Sequence, residues 1–276
     1  MKIDIIGLGY VGLVSGLCLA NKGHIVTCYD INKLTVNKVN KIEPHFFEPG
    51  LKEILKKNIL KNRFYAKNLN SNTIFSSNII IIAVGTPSKN NKIDLSQIKK
   101  SVKFIAEYIK DKNKFFSIVI KSTVSPSTTD KFVKEIIEKY SNKKLYKNEF
   151  GLGMNPEFLR EGSAIKDFIQ ADRIVIGYED IKTRDLIKKI YKKWKCEKIL
   201  VNTRTAEMIK YANNSLLALQ ISAVNEIANI SSSIGNININ NVIKGVKTDK
   251  RWSPVINKKR IYPGILKYMD PGPGFG

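Results

Sequence analysis

Cysteine is scarce in this sequence: three cysteines, widely spaced, occur in 276 residues. An odd number of isolated thiols builds neither a disulfide framework nor a metal cluster, and it indicates a reducing compartment. The sequence also lacks an apolar run of the roughly 18 residues that a membrane span requires, and its N-terminus lacks the layout of a signal peptide. We therefore predict a cytoplasmic protein with no bound metal and no membrane partner.

Acidic residues are few beside basic ones: 24 Asp and Glu stand against 47 Lys and Arg, a formal charge of +23. Such an excess can indicate a protein that binds nucleic acid or a membrane surface. Here lysine carries nearly all of the charge and is spread along the chain among Asn and Ile residues. Clustered arginines with interleaved aromatics, which would favour nucleic acid, are not seen. The bias is typical of a lysine-rich proteome, and we predict no nucleic-acid partner.

A glycine-rich turn follows a β-branched stretch at the N-terminus, Lys2 to Ile6, which predicts a buried strand. Its glycines form the pattern G-x-G-x-x-G and are Gly7, Gly9 and Gly12. An apolar segment of helical length and a second strand follow, and this strand ends at Asp30. The glycines alone are weak evidence. A strand, a helix and a strand around them, with an acid about 20 residues further on, make the dinucleotide-binding fingerprint.

Each residue of this fingerprint has a physical task. Gly7 permits the tight turn, Gly9 leaves bare backbone for a pyrophosphate, and Gly12 lets helix and strand pack closely. The helix that follows offers free N–H groups and a partial positive charge to phosphates. Asp30 would accept hydrogen bonds from ribose hydroxyls and repel a 2′-phosphate. The pattern predicts an NAD site; the alternative is a glycine-rich turn in a cofactor-free α/β protein.

The remainder of the first 200 residues alternates short apolar strands with helices. The clearest strand, NIIIIAV at 78–84, is a continuous apolar run typical of a parallel strand buried on both faces. It ends in Gly85-Thr86-Pro87, and open α/β sheets bind ligands at such strand ends. Further strands are predicted at 116–121, 151–154, 173–177 and 199–201. We predict an α/β fold, a Rossmann-like, doubly wound and mainly parallel sheet, over residues 1–202.

The pattern changes at Thr203. From there to Ile234 the sequence contains neither Pro nor Gly, and apolar residues recur at helical spacing. This predicts one helix of roughly 30 residues. We interpret it as the start of an all-α second domain over 203–276 that is incomplete at its C-terminal end. An apolar flank of the 203–234 helix predicts a homodimer.

Eight short motifs together resemble one family, the nucleotide-sugar dehydrogenases typified by UDP-glucose 6-dehydrogenase. In the family's order they are GLGYVG at 7–12, EPGL at 48–51, GTP at 85–87, KSTV at 121–124, NPEFLREG at 155–162, DRIVIG at 172–177, AEMIKYANN at 206–214 and PGPGFG at 271–276. The resemblance implies two successive NAD-dependent oxidations that convert the C6 alcohol of a nucleotide sugar, UDP-glucose or similar, to a carboxylate for polysaccharide biosynthesis. The family's route passes through a cysteine-bound thiohemiacetal and a thioester that water hydrolyses.

The resemblance implies a catalytic set of five residues: Thr123, Glu157, Glu161, Lys210 and Asn214. Lys210 and Asn214 are four apart and so share one helix face; the family pair polarises the C6 oxygen and stabilises oxyanions. Glu157 would contact a water near Thr123 and assist thioester hydrolysis. For Lys210 taken alone, a solvated lysine is the simpler interpretation. For Glu161 the alternative is a capped, charged helix start.

Two binding sets follow from the same resemblance. The implied cofactor-binding residues are Gly7, Gly9, Tyr10, Val11, Gly12, Asp30, Thr86, Thr123 and Glu161. The implied substrate-binding residues are Phe158, Leu159, Lys210, Asn214, Arg260, Tyr268 and Gly274. Arg251 is the alternative to Arg260, because residues 249–266 are longer than the commoner family pattern. That length also leaves the sugar and the base open.

The sequence departs from the family at its end. It stops at Gly274-Phe275-Gly276, whereas the family's nucleophile lies in a G-F-G-G-S-C segment, and none of Cys18, Cys28 and Cys196 matches that position. We expect a truncated dehydrogenase that binds NAD weakly and does not complete the four-electron oxidation alone. Two alternatives stay open. One is an enzyme like the 6-phosphogluconate and β-hydroxyacid dehydrogenases, against which NPEFLREG and the terminal GFG argue; the other is a non-catalytic NAD-binding fragment.

Overall fold

The structure is a computed structural model that describes all residues except 91, 257–258, 262 and 271–276. It divides into two compact units, Met1–Lys210 and Tyr211–Gly276. Among the described residues no helix is long and apolar enough to cross a membrane. No group of His, Cys, Asp and Glu side chains in the same residues is placed to hold a metal ion. The domain boundary at 202/203 stays a prediction.

The first unit is built on one eight-stranded sheet in the order β10-β9-β8-β7-β4-β1-β2-β3. In chain order the strands of this unit are β1 (Lys2–Ile6), β2 (Ile25–Asp30), β3 (Phe64–Asn68), β4 (Ile79–Ile82), β5 (Ser88–Lys89), β6 (Lys92–Ile93), β7 (Ser117–Ile120), β8 (Gly151–Met154), β9 (Arg173–Tyr178) and β10 (Glu197–Val201). Strands β5 and β6 form a separate antiparallel hairpin. The predicted α/β class and the predicted strands are confirmed, with strand ends shifted by a few residues.

The sheet is mainly parallel, as predicted, with one antiparallel pair. Strands β8 and β9 are antiparallel, while the other neighbours in the sheet are parallel. A long loop and a six-residue helix join β8 to β9. This connection, residues 155–172, is long enough for a parallel crossover as well, so its length does not decide the strand direction.

Helices cover both faces of the sheet. In chain order they are α1 (Tyr10–Asn21), α2 (Lys33–Asn40), α3 (Leu51–Leu60), α4 (Ser96–Ile109), α5 (Lys134–Ser141), α6 (Ala164–Ile169), α7 (Ile181–Ile190) and α8 (Thr203–Ile234), and a π-helical segment, Thr128–Val133, leads into α5. Strand β4 shows the two-sided burial directly. Its Ile79 and Ile81 belong to the core cluster with α1, α3, α6 and α7, and Ile80 and Ile82 to the cluster with α4 and α5.

The strand order shows which edge of the sheet is expected to bind a ligand. From β1 the chain proceeds to β2 and β3 on one side, and from β4 to β7 on the other. The strand order therefore reverses between β1 and β4, and a crevice opens at the carboxyl ends of these two strands. The glycine turn follows β1 and the GTP turn follows β4, so both lie at this edge.

The second unit holds the C-terminal part of α8, then α9 (Ile239–Lys247), a hairpin of β11 (Val255–Ile256) and β12 (Lys259–Arg260), and a 3-10 turn, Gly264–Met269. A small apolar core joins α8, α9 and the 3-10 turn: Val224, Ile243, Leu266 and Met269. The 203–234 helix is confirmed with the predicted bounds. The hairpin is an addition to the predicted all-α unit, and its first strand is a β-branched pair of residues.

Candidate active site

The three glycines of the turn are required for different reasons. Gly7 has φ +109°, and a Cβ there would lie 2.5 Å from the carbonyl oxygen of Ala83. A Cβ on Gly12 would lie 2.0 Å from the carbonyl oxygen of Gly7. A Cβ on Gly9 would have nothing within 4 Å. Packing of the protein therefore demands glycine at Gly7 and Gly12, whereas at Gly9 it leaves open space beside bare backbone.

Asp30 braces the glycine turn as well as facing the crevice. Its Oδ2 accepts a hydrogen bond from the N–H of Leu8 at 2.8 Å, and its Oδ1 accepts one from the N–H of Asn32 at 2.8 Å. The sequence predicted only the contact with ribose. Each carboxylate oxygen keeps a second lone pair, so the two tasks are compatible.

A cleft of about 1160 Å³ opens at the reversal point of the sheet. Its lining includes Gly7, Gly9, Asp30 and Gly85, and it continues along α4, where Phe104 and Tyr108 form part of the wall. The residues of α4 were missed from the sequence; their only signal was the helix's position after the GTP turn. The open space at Gly9, the Asp30 carboxylate in the lining and the size of the cleft fit a dinucleotide.

Two predicted cofactor residues meet where β4 and β7 end. The Thr86 hydroxyl donates to the carbonyl oxygen of Thr123 at 2.7 Å. The Ser122 hydroxyl donates to the carbonyl oxygen of Val84 at 2.6 Å. These side-chain bonds tie the GTP turn to the KSTV turn.

Lys210 is buried and paired. Its Nζ lies 2.8 Å from Oε1 of Glu157, and the two side chains are 6% and 12% exposed. Oε2 of Glu157 accepts the N–H of Leu159 at 2.6 Å. The interpretation of Lys210 as a solvated lysine is therefore wrong. The structure brings two predicted catalytic residues together although 53 residues separate them in the chain.

The ring of Phe158 lies beside this ion pair. The Arg173 guanidinium lies 4.0 Å from the ring centroid, and Nζ of Lys210 lies 5.4 Å from it. Phe158 and Leu159 are half-buried. Glu161 lies in the same loop, is exposed, and precedes the start of α6 at Ala164.

A second buried lysine, Lys121, was missed from the sequence, although it opens the KSTV motif. Its Nζ donates to Oδ1 of Asn155 at 3.1 Å and to the carbonyl oxygen of Asn155 at 3.3 Å. The Tyr191 hydroxyl donates to the same Oδ1 at 2.6 Å. Burial lowers the pKa of Lys121 to about 8; Glu157 raises this pKa and Lys210 lowers it further.

The remaining predicted substrate residues belong to the second unit. Asn214 lies one helical turn after Lys210 on α8, and its Oδ1 accepts from Nδ2 of Asn213 at 3.3 Å. Arg260 donates to the carbonyl oxygen of Thr248, while Arg251 forms an ion pair with Asp249 at 2.7 Å. Tyr268 lies half-buried in the 3-10 turn. Gly274 lies outside the described residues.

The cysteines do not approach the cleft. Cys18 and Cys28 are buried, and Cys196 is half-buried. Burial raises the pKa of Cys18 to about 12 and the pKa of Cys28 well above its usual value. Neither buried thiol is a thiolate near neutral pH, and none of the three cysteines lines the cleft.

Comparison with known proteins decides the family. Residues 1–195 match the NAD binding domain of the UDP-glucose/GDP-mannose dehydrogenase family, and residues 204–276 match its central domain. The chain belongs to this family. The match confirms the resemblance carried by the eight motifs and decides against a β-hydroxyacid dehydrogenase. It also confirms NAD as the cofactor of the family and an oxidoreductase class for the chain.

The curated relatives of this chain are longer than the chain itself. The chain is 41% identical over 276 residues to the UDP-glucose 6-dehydrogenase TuaD of Bacillus subtilis, covering all of this chain and 56% of that protein. It is 37% identical over 280 residues to a UDP-glucose 6-dehydrogenase of Rickettsia felis, covering all of this chain and 57% of the relative. The chain thus spans somewhat over half the length of these curated relatives.

Solved structures agree with this placement. A UDP-glucose dehydrogenase from Pyrobaculum islandicum superposes with a TM-score of 0.84 at 32% identity, over 100% of this chain and 60% of that one. A GDP-mannose dehydrogenase from Pseudomonas aeruginosa gives a TM-score of 0.84 at 35% identity, over 91% of this chain and 57% of that one. Family members that act on different nucleotide sugars therefore share this fold.

Proposed function

We propose that this chain is the cofactor-binding and sugar-oxidising part of an NAD-dependent nucleotide-sugar 6-dehydrogenase that converts UDP-glucose to UDP-glucuronate. The observation that carries the proposal is the buried pair of Lys210 and Glu157, in the same unit as the dinucleotide cleft. The curated relatives named above are UDP-glucose 6-dehydrogenases, which supports UDP-glucose as the sugar. The product would serve polysaccharide biosynthesis.

Three of the proposed cofactor residues, Gly7, Gly9 and Asp30, line the cleft. Gly7, Gly9 and Gly12 would hold the pyrophosphate against bare backbone and the start of α1, where Tyr10 and Val11 lie. Asp30 would accept the ribose hydroxyls and repel a 2′-phosphate. Thr86, Thr123 and Glu161 complete the proposed set. When bound, NAD supplies the acceptor for the hydride that leaves the sugar carbon.

The charge of the site suits an oxygen that becomes negative. Lys121 and Lys210 are two buried amines, and Glu157 is the carboxylate that pairs with Lys210. A buried cation acts strongly on a developing oxyanion, because little water screens it. In our proposal Lys210 stabilises the negative oxygen at C6, Glu157 holds Lys210 in place, and Asn214 adds a neutral donor.

The substrate residues stay proposals. Phe158 and Leu159 would lie along the sugar, and Tyr268 and Gly274 would contact the nucleotide. Arg260 remains our choice for the diphosphate, because the Arg251 guanidinium is already engaged in a bidentate contact with the Asp249 carboxylate. Arg260 donates to a neutral carbonyl oxygen. Thioester chemistry needs a thiolate, which the buried Cys18 and Cys28 do not supply.

A homodimer through α8 is also part of the proposal. Leu216 and Leu219 are 64% and 65% exposed and lie on one flank of this helix with Ile230. An exposed apolar stripe on a long helix is typical of a protein–protein contact. The odd number of isolated cysteines favours a reducing, cytoplasmic compartment. The lysines are dispersed along the chain and do not form the basic patch that is typical of nucleic-acid binding.

Saturation-transfer NMR tests the proposed substrate, because this method detects weak ligands. We expect signals from the glucose ring protons of UDP-glucose when NADH is present. These signals should disappear in Lys210→Met and persist in Lys56→Met, which removes an exposed lysine of α3. Equal signals in wild type and Lys210→Met, or none from UDP-glucose at millimolar concentration, would contradict the proposed substrate site.

A further inference from the structure

A buried carboxylate lies beside the cofactor loop and has no part in the roles above. Glu48, from the EPGL motif, is 4% exposed. Its Oε2 accepts the Tyr10 hydroxyl at 2.7 Å and the N–H of Gly162 at 2.9 Å. Its Oε1 accepts the N–H of Ala164 at 2.8 Å. One carboxylate therefore receives three hydrogen bonds from two segments that are far apart in the chain.

Both segments carry residues of the proposed site. Tyr10 is the first residue of α1, directly after the glycine turn. Gly162 and Ala164 follow Glu161 and end the loop that begins with Glu157. Gly162 has φ +80°, a backbone conformation that other residues rarely adopt, so the turn at this position requires glycine. Glu48 thus bridges the glycine turn and the loop of the two glutamates.

Tyr10 is held by its ring as well as by its hydroxyl. Its ring lies 5.0 Å from the ring of Phe46, two residues before Glu48. Burial and the hydrogen bond to Glu48 raise the pKa of Tyr10, and the charges of Glu161 and Glu157 add to this. The hydroxyl therefore stays protonated and remains a donor. No described ion pair involves Glu48, so these donors are what stabilise its buried charge.

We propose that Glu48 is a positioning residue that couples the glycine turn to the Glu157–Glu161 loop, so that a dinucleotide bound at the turn also orders this loop. The inference rests on the proposed cofactor function of the turn. Glutamine at this position keeps one acceptor oxygen but presents an amide NH2 to N–H donors that need an acceptor. Glu48→Gln should therefore release the loop from the turn while leaving the side-chain volume nearly unchanged.

Hydrogen–deuterium exchange with and without NADH tests the coupling. In wild type we expect NADH to slow exchange in peptides that span 157–165. In Glu48→Gln exchange there should be about tenfold faster without cofactor, NADH should no longer slow it, and the dissociation constant of NADH should rise about tenfold. Tyr10→Phe, which removes one of the three bonds, should give a smaller effect in the same direction. Glu53→Gln, an exposed glutamate on α3, should behave as wild type.

The outcomes separate this inference from the proposed function. If wild type does not bind NADH, the proposed function fails. If wild type binds NADH and Glu48→Gln keeps the NADH-dependent protection of 157–165, the cofactor function stands and the coupling is wrong. A variant that only loosens the whole first unit, with faster exchange in β1 and β4 as well, would also overturn a positioning role.

Discussion

At the scale of single residues, Gly9 and Gly12 separate what the fold needs from what the ligand needs. Gly12→Ala would place a Cβ 2.0 Å from the carbonyl oxygen of Gly7, and Gly9→Ala would place one in open space. We expect Gly12→Ala to lower the free energy of unfolding by about 2–4 kcal/mol. Gly9→Ala should unfold near the wild-type midpoint but bind NADH at least about tenfold more weakly. Denaturant titration and NADH fluorescence measure the two effects, and a Gly9→Ala variant that binds normally would contradict the pyrophosphate assignment.

Lys121 makes a prediction about pH. Its pKa falls from 10.5 to about 8 in the folded state, because burial disfavours the charged amine. Between these values the unfolded chain binds more protons, so this group makes the protein more stable as pH rises. Lys121→Met removes the effect. We expect the free energy of unfolding of wild type, minus that of Lys121→Met, to increase by roughly 2 kcal/mol between about pH 7 and about pH 10.

Tyrosines and cysteines titrate in the same pH range in both proteins. Their contribution to the free energy of unfolding therefore cancels in the difference. Denaturant unfolding at several pH values gives the difference directly. A difference that does not change with pH would mean that Lys121 keeps an ordinary pKa.

Motifs in the sequence predicted site residues, but they did not reveal roles that depend on partners far away in the chain, even for Lys121 and Glu48, which lie inside motifs. Lys210 was identified through Asn214 and AEMIKYANN, but its burial depends on Glu157, 53 residues away. Glu48 meets Gly162 and Ala164 across more than 110 residues. No local pattern encodes such contacts, since tertiary packing creates them. The bracing of the glycine turn by Asp30 was missed for the same reason.

At the scale of elements, the start of α8 is anchored by a buried carboxylate. Glu207 accepts the N–H of Ser127 and the N–H of Thr129, each at 2.8 Å, and so fixes the turn that follows KSTV. Ser127 has φ +74°, a conformation that needs such support. Glu207→Gln should lower the free energy of unfolding by about 1–3 kcal/mol, because one buried N–H loses its acceptor.

Glu53→Gln is the control for this experiment, since Glu53 is exposed on α3 and away from the proposed dimer flank. Thermal and denaturant unfolding of both variants would decide the point. Equal stability of Glu207→Gln and Glu53→Gln would show that the anchor contributes nothing.

Elements were predictable where their periodicity was strong. The run at 78–84 and the helix at 203–234 were identified with nearly correct bounds because one is wholly apolar and the other has no Pro or Gly. The direction of β9 was not, because strand patterns carry no sign of direction. The link through α6, residues 155–172, is long enough for either direction, so its length does not reveal the antiparallel pairing.

At the scale of the whole molecule, the proposed homodimer predicts a change in mass. Leu216 and Leu219 lie on the exposed flank of α8. We expect wild type to sediment as a dimer and Leu216→Glu with Leu219→Glu to sediment as a monomer, because two charges would be buried without partners. Asn229→Glu, an exposed change on another side of the helix, should stay dimeric. A wild-type monomer at tens of micromolar would contradict the dimer.

The central claim is that the cleft beside the glycine turn binds NAD. Titration of this chain with NADH and with NADPH, followed by the fluorescence of the nicotinamide, tests it most directly. Asp30 would accept the ribose hydroxyls of NADH and repel the 2′-phosphate of NADPH. We predict saturable binding of NADH and binding of NADPH that is at least about tenfold weaker. Absence of NADH binding, or equal affinity for the two cofactors, would contradict the account.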